Sequence, residues 1–324
     1  MTDRAQAHDT LGEKIAALRA EIGRAFIGHD EIVDGTVIAL LAGGHVLLEG
    51  VPGLGKTLLV RAMSRAFGGT FSRIQFTPDL MPSDVTGHAV YDMQAEKFRI
   101  RRGAVFANLL LADEINRAPA KTQAALLEAM QESQVTIEGA SLRLPTPFMT
   151  VATQNPVEHE GTYPLPEAQL DRFLFKLLID YPDHDTEVRI VASVTDNRVG
   201  EALNVDDVRQ VMTDADVVAA QNVVAATRVE PAVIDYAVRI VRETRQKAGI
   251  RMGAGPRGPI SIVRAARAAA MLEGRSFVTP DDVRRVAIPA LRHRIALAPE
   301  LEIEAYRPDE ILKDVLAKVA VPRQ

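Results

Sequence analysis

Eight consecutive residues, Gly50-Val51-Pro52-Gly53-Leu54-Gly55-Lys56-Thr57, place three glycines ahead of a lysine and a threonine in the spacing G-x-x-x-x-G-K-T. A turn of this kind aims backbone N–H groups at an anion, and glycines let phosphate oxygens come close. In that pattern Lys56 contacts the β- and γ-phosphates and the Thr57 hydroxyl ligates Mg²⁺. The plain alternative is a glycine-rich turn that binds nothing; a strand pattern before it and a helix pattern after it argue against that. A second acidic signal, Asp113-Glu114, ends the run Leu109-Leu110-Leu111-Ala112. Two carboxylates at the carboxyl end of a buried strand lie where open α/β sheets bind their ligands. Asp113 is expected to hold Mg²⁺, mainly through water, and Glu114 to orient and polarise the attacking water. Alone, the pair would read as a solvated loop.

These residues need a scaffold, and the sequence pattern supplies one. Apolar residues recur at helical spacing from Leu11 to Phe26 and from Ile32 to Leu41, with Gly28 between the two runs. Short apolar runs then alternate with helical patterns: His45–Glu49, Gly55–Phe67, Phe71–Phe76, Asn108–Ala112, Pro119–Glu132, Pro147–Thr153 and Phe173–Ile179. Strands separated by helices predict a parallel sheet with helices on both faces. From about Pro182 the strand signal ends. Ile262, Ala265, Ala266, Ala269 and Leu272 form one apolar stripe, and Thr279-Pro280-Asp281-Asp282 reads as an N-cap, a first-turn proline and first-turn acids.

Composition narrows the classes. With 324 residues, 47% hydrophobic and 25% charged, the chain has room for two domains with cores of their own. It has no cysteine, which excludes disulfides, thiolate metal sites and a cysteine nucleophile, and is compatible with a reducing cytoplasm. Residues 1–10 do not resemble a secretion signal, and no apolar run approaches the ~18 residues of a membrane span. The formal net charge of −5 argues against a general nucleic-acid binder. Seven histidines show no ligand spacing, so a transition-metal site is not expected.

Longer strings go beyond the phosphate loop. Gly28, the segment Ile38-Ala39-Leu40-Leu41-Ala42-Gly43-Gly44-His45-Val46-Leu47-Leu48-Glu49-Gly50, and Ala112-Asp113-Glu114-Ile115-Asn116-Arg117-Ala118-Pro119 resemble the MoxR family of AAA+ ATPases. Ala152-Thr153-Gln154-Asn155-Pro156 and Leu165-Pro166-Glu167-Ala168-Gln169-Leu170-Asp171-Arg172-Phe173 extend the resemblance over nearly the whole chain after Leu11. It implies that Asn155 is sensor 1, a polar residue that positions water or senses the γ-phosphate. It also implies that Arg172 is an arginine finger reaching the nucleotide of a neighbouring subunit, a task suited to a planar guanidinium. Ile27 and Gly28 join the residues expected at the nucleotide. Taken singly, Asn155 could be a turn residue before Pro156, and Arg172 an ion-pair partner of Asp171.

Sensor 2 departs from the family. Where relatives carry a Ser-Pro-Arg-Ala-like string at the start of a lid helix, this chain reads Gly255-Pro256-Arg257-Gly258-Pro259. Arg257 is the candidate, a loop arginine the alternative, and action within one subunit or across two is open. The segment from Thr77 to Ala107 is too long for a bare loop and is expected to carry structure; its position is similar to the family's insert in the second helix. Gln134–Leu144 reads as a second hairpin around Gly139-Ala140. The resemblance places both inserts at a ring centre. Nine arginines between residues 251 and 294 against Glu273, Asp281 and Asp282 form a basic stripe, read as a subunit interface, with a nucleic-acid contact as the alternative.

The expected architecture is α/β: a P-loop NTPase αβα sandwich with a parallel sheet over residues 11–182, after a flexible tail at 1–10. A smaller all-α lid over residues 183–324 follows. The expected activity is hydrolysis of ATP to ADP and phosphate with Mg²⁺, in a cytoplasmic homo-oligomeric ring that the resemblance makes hexameric. It would drive chaperone-like remodelling of partner proteins, including a separate von Willebrand factor A domain protein. A DNA-directed motor and a nucleotide-gated switch with little turnover are the alternatives. Intact Glu114, Asn155 and Arg172 speak against the switch.

Overall fold

The computed structural model describes residues 2–155, 162–195 and 205–322, so Pro156 of the sensor 1 string lies outside the described residues. Helices α1 (Thr2–Ala25) and α2 (Asp30–Leu41) precede the sheet. The first helix starts at Thr2, within the segment expected as a tail: no proline interrupts it, and Ala5, Gln6 and Ala7 favour a helix. Every residue of α2 from Ile32 to Leu41 is buried. A helix apolar all round belongs inside, and α2 sits between the sheet and the C-terminal helices.

The sheet begins at β1 (Val46–Glu49), followed by α3 (Lys56–Phe67) and β2 (Phe71–Gln75). Next come α4 (Pro82–Thr86), β3 (Gly87–Asp92), β4 (Lys97–Arg102) and β5 (Leu109–Asp113). A 3₁₀ turn at Ile115–Arg117 leads to α5 (Ala120–Glu132), β6 (Gln134–Ile137), β7 (Ala140–Arg143) and β8 (Met149–Gln154). A short α6 (Glu167–Leu170) and β9 (Phe175–Leu178) close the domain. Strands β2, β5, β8, β1 and β9 lie side by side in that order, all parallel. The register aligns Glu49 with Gln154 and Asp113 with Gln75, so the carboxyl ends of four strands share one edge.

Alternation sorts the strands onto two cores. Val46, Leu48, Leu109 and Leu111 face one core together with α1, α2, α3 and the C-terminal helices. Leu47, Leu110, Ala112 and Ala152 face the other, covered by α5. Strands covered on both faces read as continuous apolar runs, as Leu109 to Ala112 does. Each of these fully buried leucines contributes about 1.5–3 kcal/mol relative to exposure.

Both inserts are structured. Strands β3 and β4 form an antiparallel hairpin, and every residue of β4 is exposed. Strands β6 and β7 pair through Glu138 (φ 48°) and Gly139 (φ 79°), the left-handed pair that a tight hairpin turn requires.

The C-terminal region holds α7 (His184–Thr195), α8 (Asp214–Ala225), α9 (Pro231–Thr244), α10 (Arg257–Leu272), α11 (Pro280–Leu291), α12 (Pro299–Ile303) and α13 (Pro308–Lys318). Ile262, Ala265, Ala266 and Ala269 of α10 are fully buried, and α10 packs on α2, α9 and α11. Thr279 and Asp282 cap α11 reciprocally. The lid is not purely helical: β10 (Ile250–Met252) and β11 (Ala296–Leu297) pair antiparallel. Strands of two or three residues are too short to carry a readable alternation. Among the described residues no helix is long and apolar enough to cross a membrane.

Candidate functional site

The glycine-rich loop leaves β1 at the centre of the sheet. Gly50 has no room for a side chain, since a Cβ there would lie 2.6 Å from the Ile179 carbonyl oxygen. Gly53 (φ 87°) and Gly55 (φ 72°) adopt left-handed backbone, which glycine takes without the steric cost other residues meet. Gly55 also backs onto Phe26, where a Cβ would lie 3.1 Å from the ring. It precedes α3 with no side-chain cap and no acid in the first turn, so first-turn N–H groups stay free for an anion. Lys56, the first residue of α3, donates to the Gly50 carbonyl. Burial holds its ammonium below the ordinary lysine pKa, and Asp113, Glu114 and Glu49 partly offset that.

Opposite the loop, Asp113 ends β5. Its Oδ1 accepts the Thr153 hydroxyl at 2.6 Å and its Oδ2 accepts the Arg73 guanidinium at 2.6 Å. Glu114 follows with left-handed backbone (φ 54°, ψ 52°), an uncommon conformation for a non-glycine residue. Its N–H donates to Thr153 Oγ1 at 2.8 Å, so one hydroxyl of β8 fixes both acids. Gln75 donates to Glu114 Oε2 at 2.7 Å, and Arg117 lies 3.1 Å from the same oxygen. Asn155, just past β8, is buried and lines the same cleft of about 360 Å³ as Gly53, Lys56, Thr57, Asp113 and Glu114.

The residues fit a nucleotide with a hard cation. The Thr57 hydroxyl and the Asp113 carboxylate are oxygen donors of the kind Mg²⁺ takes. Among the described residues no group of three His, Cys, Asp or Glu could hold a metal ion unaided, so phosphate oxygens and water would complete the shell. Ile27 and Gly28 lie in the turn after α1. Gly28 (φ 84°) meets α7 so closely that a Cβ would come 2.0 Å from Thr186 Cγ2. Phe26 stacks on His29 at 5.1 Å and touches Gly55, which sets this turn beside the phosphate loop.

Arg172 and Arg257 are elsewhere. They line a cavity of about 430 Å³ with Gly43 and Gly44, at the amino-terminal edge of the sheet, the far end of β1 from the phosphate loop. A four-residue strand separates the two ends by roughly 13 Å. Asp171 pairs with Arg294 at 2.7 Å and lies 3.7 Å from Arg257, while the Arg172 guanidinium has no hydrogen bond or ion pair among the described residues. The ion pair of Arg172 with Asp171, open from sequence, is therefore not made. Arg257 is the first residue of α10, with Pro259 inside the first turn, where a missing N–H costs nothing. The departures at Gly258 and Pro259 leave the helix start in place.

Most of the basic stripe is not free for an interface. Arg275 pairs with Asp282, Arg285 with Asp34 and Glu273, and Arg292 with Asp309. Arg264 and Arg267 donate to backbone carbonyls of Ala42 and Ala225. The stripe read from sequence counted charge without the partners that folding brings. Sequence reasoning also missed Arg73, Gln75, Arg117 and Thr153 as neighbours of the acids. Thr153 sits near the end of β8, two residues before Asn155, the one signal that pointed to it.

Comparison with known proteins agrees with this fold. The family model described as ATPase family associated with various cellular activities (AAA) matches residues 45–175, and the AAA lid domain matches residues 242–315. The chain is 45% identical to Chaperone MoxR1 of Mycobacterium tuberculosis, over 94% of this chain and 81% of that protein. It is 34% identical to Protein MoxR of Methylorubrum extorquens, over 94% of this chain and 93% of that one. A crystal structure from Cytophaga hutchinsonii, 38% identical, superposes with a TM-score of 0.90 and covers 98% of each chain.

Proposed function

This chain belongs to the MoxR family of AAA+ ATPases, and we propose that it hydrolyses ATP to ADP and phosphate in a ring whose sites are completed between neighbouring subunits. One observation carries the reading: the phosphate loop with Asp113 and Glu114 lies at one edge of the sheet, and Arg172, without an ion pair among the described residues, lies with Arg257 at the other. A chain with its phosphate cradle and the Arg172 guanidinium at opposite edges is suited to head-to-tail closure, where each copy lends its cation to the next.

The roles follow from the contacts. The loop amides from Gly50 to Gly55 and the Lys56 ammonium hold the phosphates. Thr57 and Asp113 would hold Mg²⁺, which would supply neutralisation of phosphate charge. Glu114 orients the water that attacks the γ-phosphorus and takes up its proton, while the bond from that phosphorus to the β–γ bridging oxygen breaks. Asn155 steadies that water or the γ-phosphate, the neighbour's Arg172 and Arg257 meet the charge on the transferring group, and Ile27 with Gly28 borders the nucleotide. Domain limits near residues 11, 182 and 183 belong to the same reading.

The output is remodelling or activation of a partner protein in the cytoplasm, by a hexamer acting on a client such as a separate von Willebrand factor A domain protein. The name of the mycobacterial relative, a chaperone, supports this class, as does the exposed β3–β4 hairpin with Tyr91, Met93 and Phe98 on its surface. One observation favours a DNA-directed motor: the fully exposed β4 carries Lys97, Arg99, Arg101 and Arg102. Phosphate release by purified protein tests both readings. Mg²⁺-dependent turnover, absent in Lys56→Ala and unchanged by DNA, is expected. No turnover at any protein concentration overturns the ATPase reading, and strong stimulation by DNA favours the motor.

A further inference from the structure

We propose that Arg294 is a positioning residue for Arg172 and Arg257, a latch by which the lid sets the cation that one subunit offers its neighbour. The proposal rests on the reading of Arg172 as acting across the interface. Arg294 follows α11 and is 5% exposed. Its Nε donates to Asp171 Oδ1 at 2.7 Å, and its Nη2 donates to the carbonyls of Phe173 at 2.6 Å and Asp171 at 3.2 Å. Its Nη1 reaches the Leu174 carbonyl at 3.3 Å and the Ala290 carbonyl. Three backbone carbonyls in the stretch 171–174 are thus gripped by one guanidinium, and the Arg172 side chain, between them, is left facing the cavity.

The same group reaches the second cation. Arg294 Nη2 donates to Ser261 Oγ at 3.0 Å, and Ser261 lies one helical turn after Arg257 on α10. The Asp171 carboxylate sits between Arg294 at 2.7 Å and Arg257 at 3.7 Å. Neighbouring His293 adds a contact from its Nε2 to the Phe173 carbonyl at 3.1 Å. A planar fork with five N–H donors can hold these six acceptors only by sharing one N–H on Nη2 between two of them; a lysine ammonium, with three donors on a flexible stem, cannot hold them. A rotation of the lid would therefore be transmitted to Arg172 and Arg257 together, and these serve the neighbour's nucleotide, not the chain's own.

The test uses full-length Arg294→Lys, with ring assembly checked by native mass spectrometry. Its affinity for ATP is expected to stay within about threefold of wild type, while kcat falls at least tenfold. Mixing supplies the readout that a structural role would not move. Glu114→Gln subunits keep the arginines and lack the glutamate, so mixing them with Arg294→Lys should restore activity. Mixing Arg294→Lys with Arg172→Ala should not, because both lack the same half-site. The control pair Glu114→Gln with Arg172→Ala tests the underlying reading alone: if it fails, Arg172 does not act in trans. If the control succeeds and Arg294→Lys is not complemented, or if Arg294→Lys turns over normally or loses ATP affinity, the latch is wrong. Should Arg294→Lys fail to fold, Ser261→Ala removes one acceptor and leaves the arginine. A few-fold drop in kcat, rescued by Glu114→Gln, is expected of it, and an unchanged kcat overturns the proposal.

Discussion

The Thr153 hydroxyl lies 2.6 Å from Asp113 Oδ1 and donates to it, while accepting the backbone N–H of Glu114 at 2.8 Å. Both capacities of one hydroxyl are spent on the two adjacent acids that the site depends on. Thr153 is itself fixed in the sheet, since its strand pairs Thr153 with Leu48 of β1. The acids are thus referenced to the strand that carries the phosphate loop.

Thr153→Val keeps the shape and removes the hydroxyl, leaving one Asp113 oxygen and the Glu114 N–H unpaired. A hydrogen bond to a charged group is worth about 1.5–3 kcal/mol, so kcat is expected to fall roughly 10- to 100-fold. Nucleotide affinity, measured without Mg²⁺, should change little. A variant that turns over at the wild-type rate would remove Thr153 from the site.

Arg73 occupies the other oxygen of Asp113 at 2.6 Å, from a side chain that is about half exposed. Because exposed pairs contribute about 0–1 kcal/mol, Arg73→Ala should tighten Mg²⁺ binding in the presence of ATP by no more than about fivefold. Titration of Mg²⁺ by calorimetry checks this. Weaker Mg²⁺ binding would mean that Arg73 holds Asp113 in its working position instead of competing for it.

The lid has an acid limb of its own. Burial opposes the charge on Asp282, but Arg275 at 2.6 and 2.7 Å and the Thr279 N–H at 2.8 Å outweigh it and hold the carboxyl below the ordinary aspartate range. A depressed folded-state value contributes stability above the unfolded value, near pH ~4, and that stability is lost as pH falls through the folded value. Asp282→Asn should cost about 1–3 kcal/mol at pH 7 and flatten the decline in Tm below pH ~4. An unchanged acid limb would show that other carboxylates set it.

How far the sequence reaches depends on the range of the interaction. The phosphate loop and the acids after Leu109-Leu110-Leu111-Ala112 are legible because their function needs fixed residue types at short spacing. The order of the strands is not, and with it goes the contact of Arg73 on Asp113, since pairing β2 with β5 is a tertiary choice. The arginines of residues 251–294 are the inverse case. Their charge is plain in the sequence, yet Arg275, Arg285 and Arg292 are matched by acids up to 251 positions away.

Arg257 offers the sharpest decision between action within a subunit and across two. It lines the same cavity as Arg172, at the sheet edge away from the chain's own phosphate loop, and lies 3.7 Å from Asp171. If that placement persists in the ring, Arg257→Ala should leave ATP binding at low protein concentration unchanged and slow hydrolysis in the assembled state. Arginines that meet a transferring phosphoryl group contribute up to ~10³–10⁵ in rate, and a second cation in the same cavity should contribute less than the first. Mixing gives the answer without a ring structure. Glu114→Gln subunits lend an intact Arg257, so activity should return when they are combined with Arg257→Ala subunits. If Arg257 instead serves its own subunit, every copy with an intact Glu114 in that mixture still lacks the arginine and activity stays low, provided mixed rings are seen by native mass spectrometry.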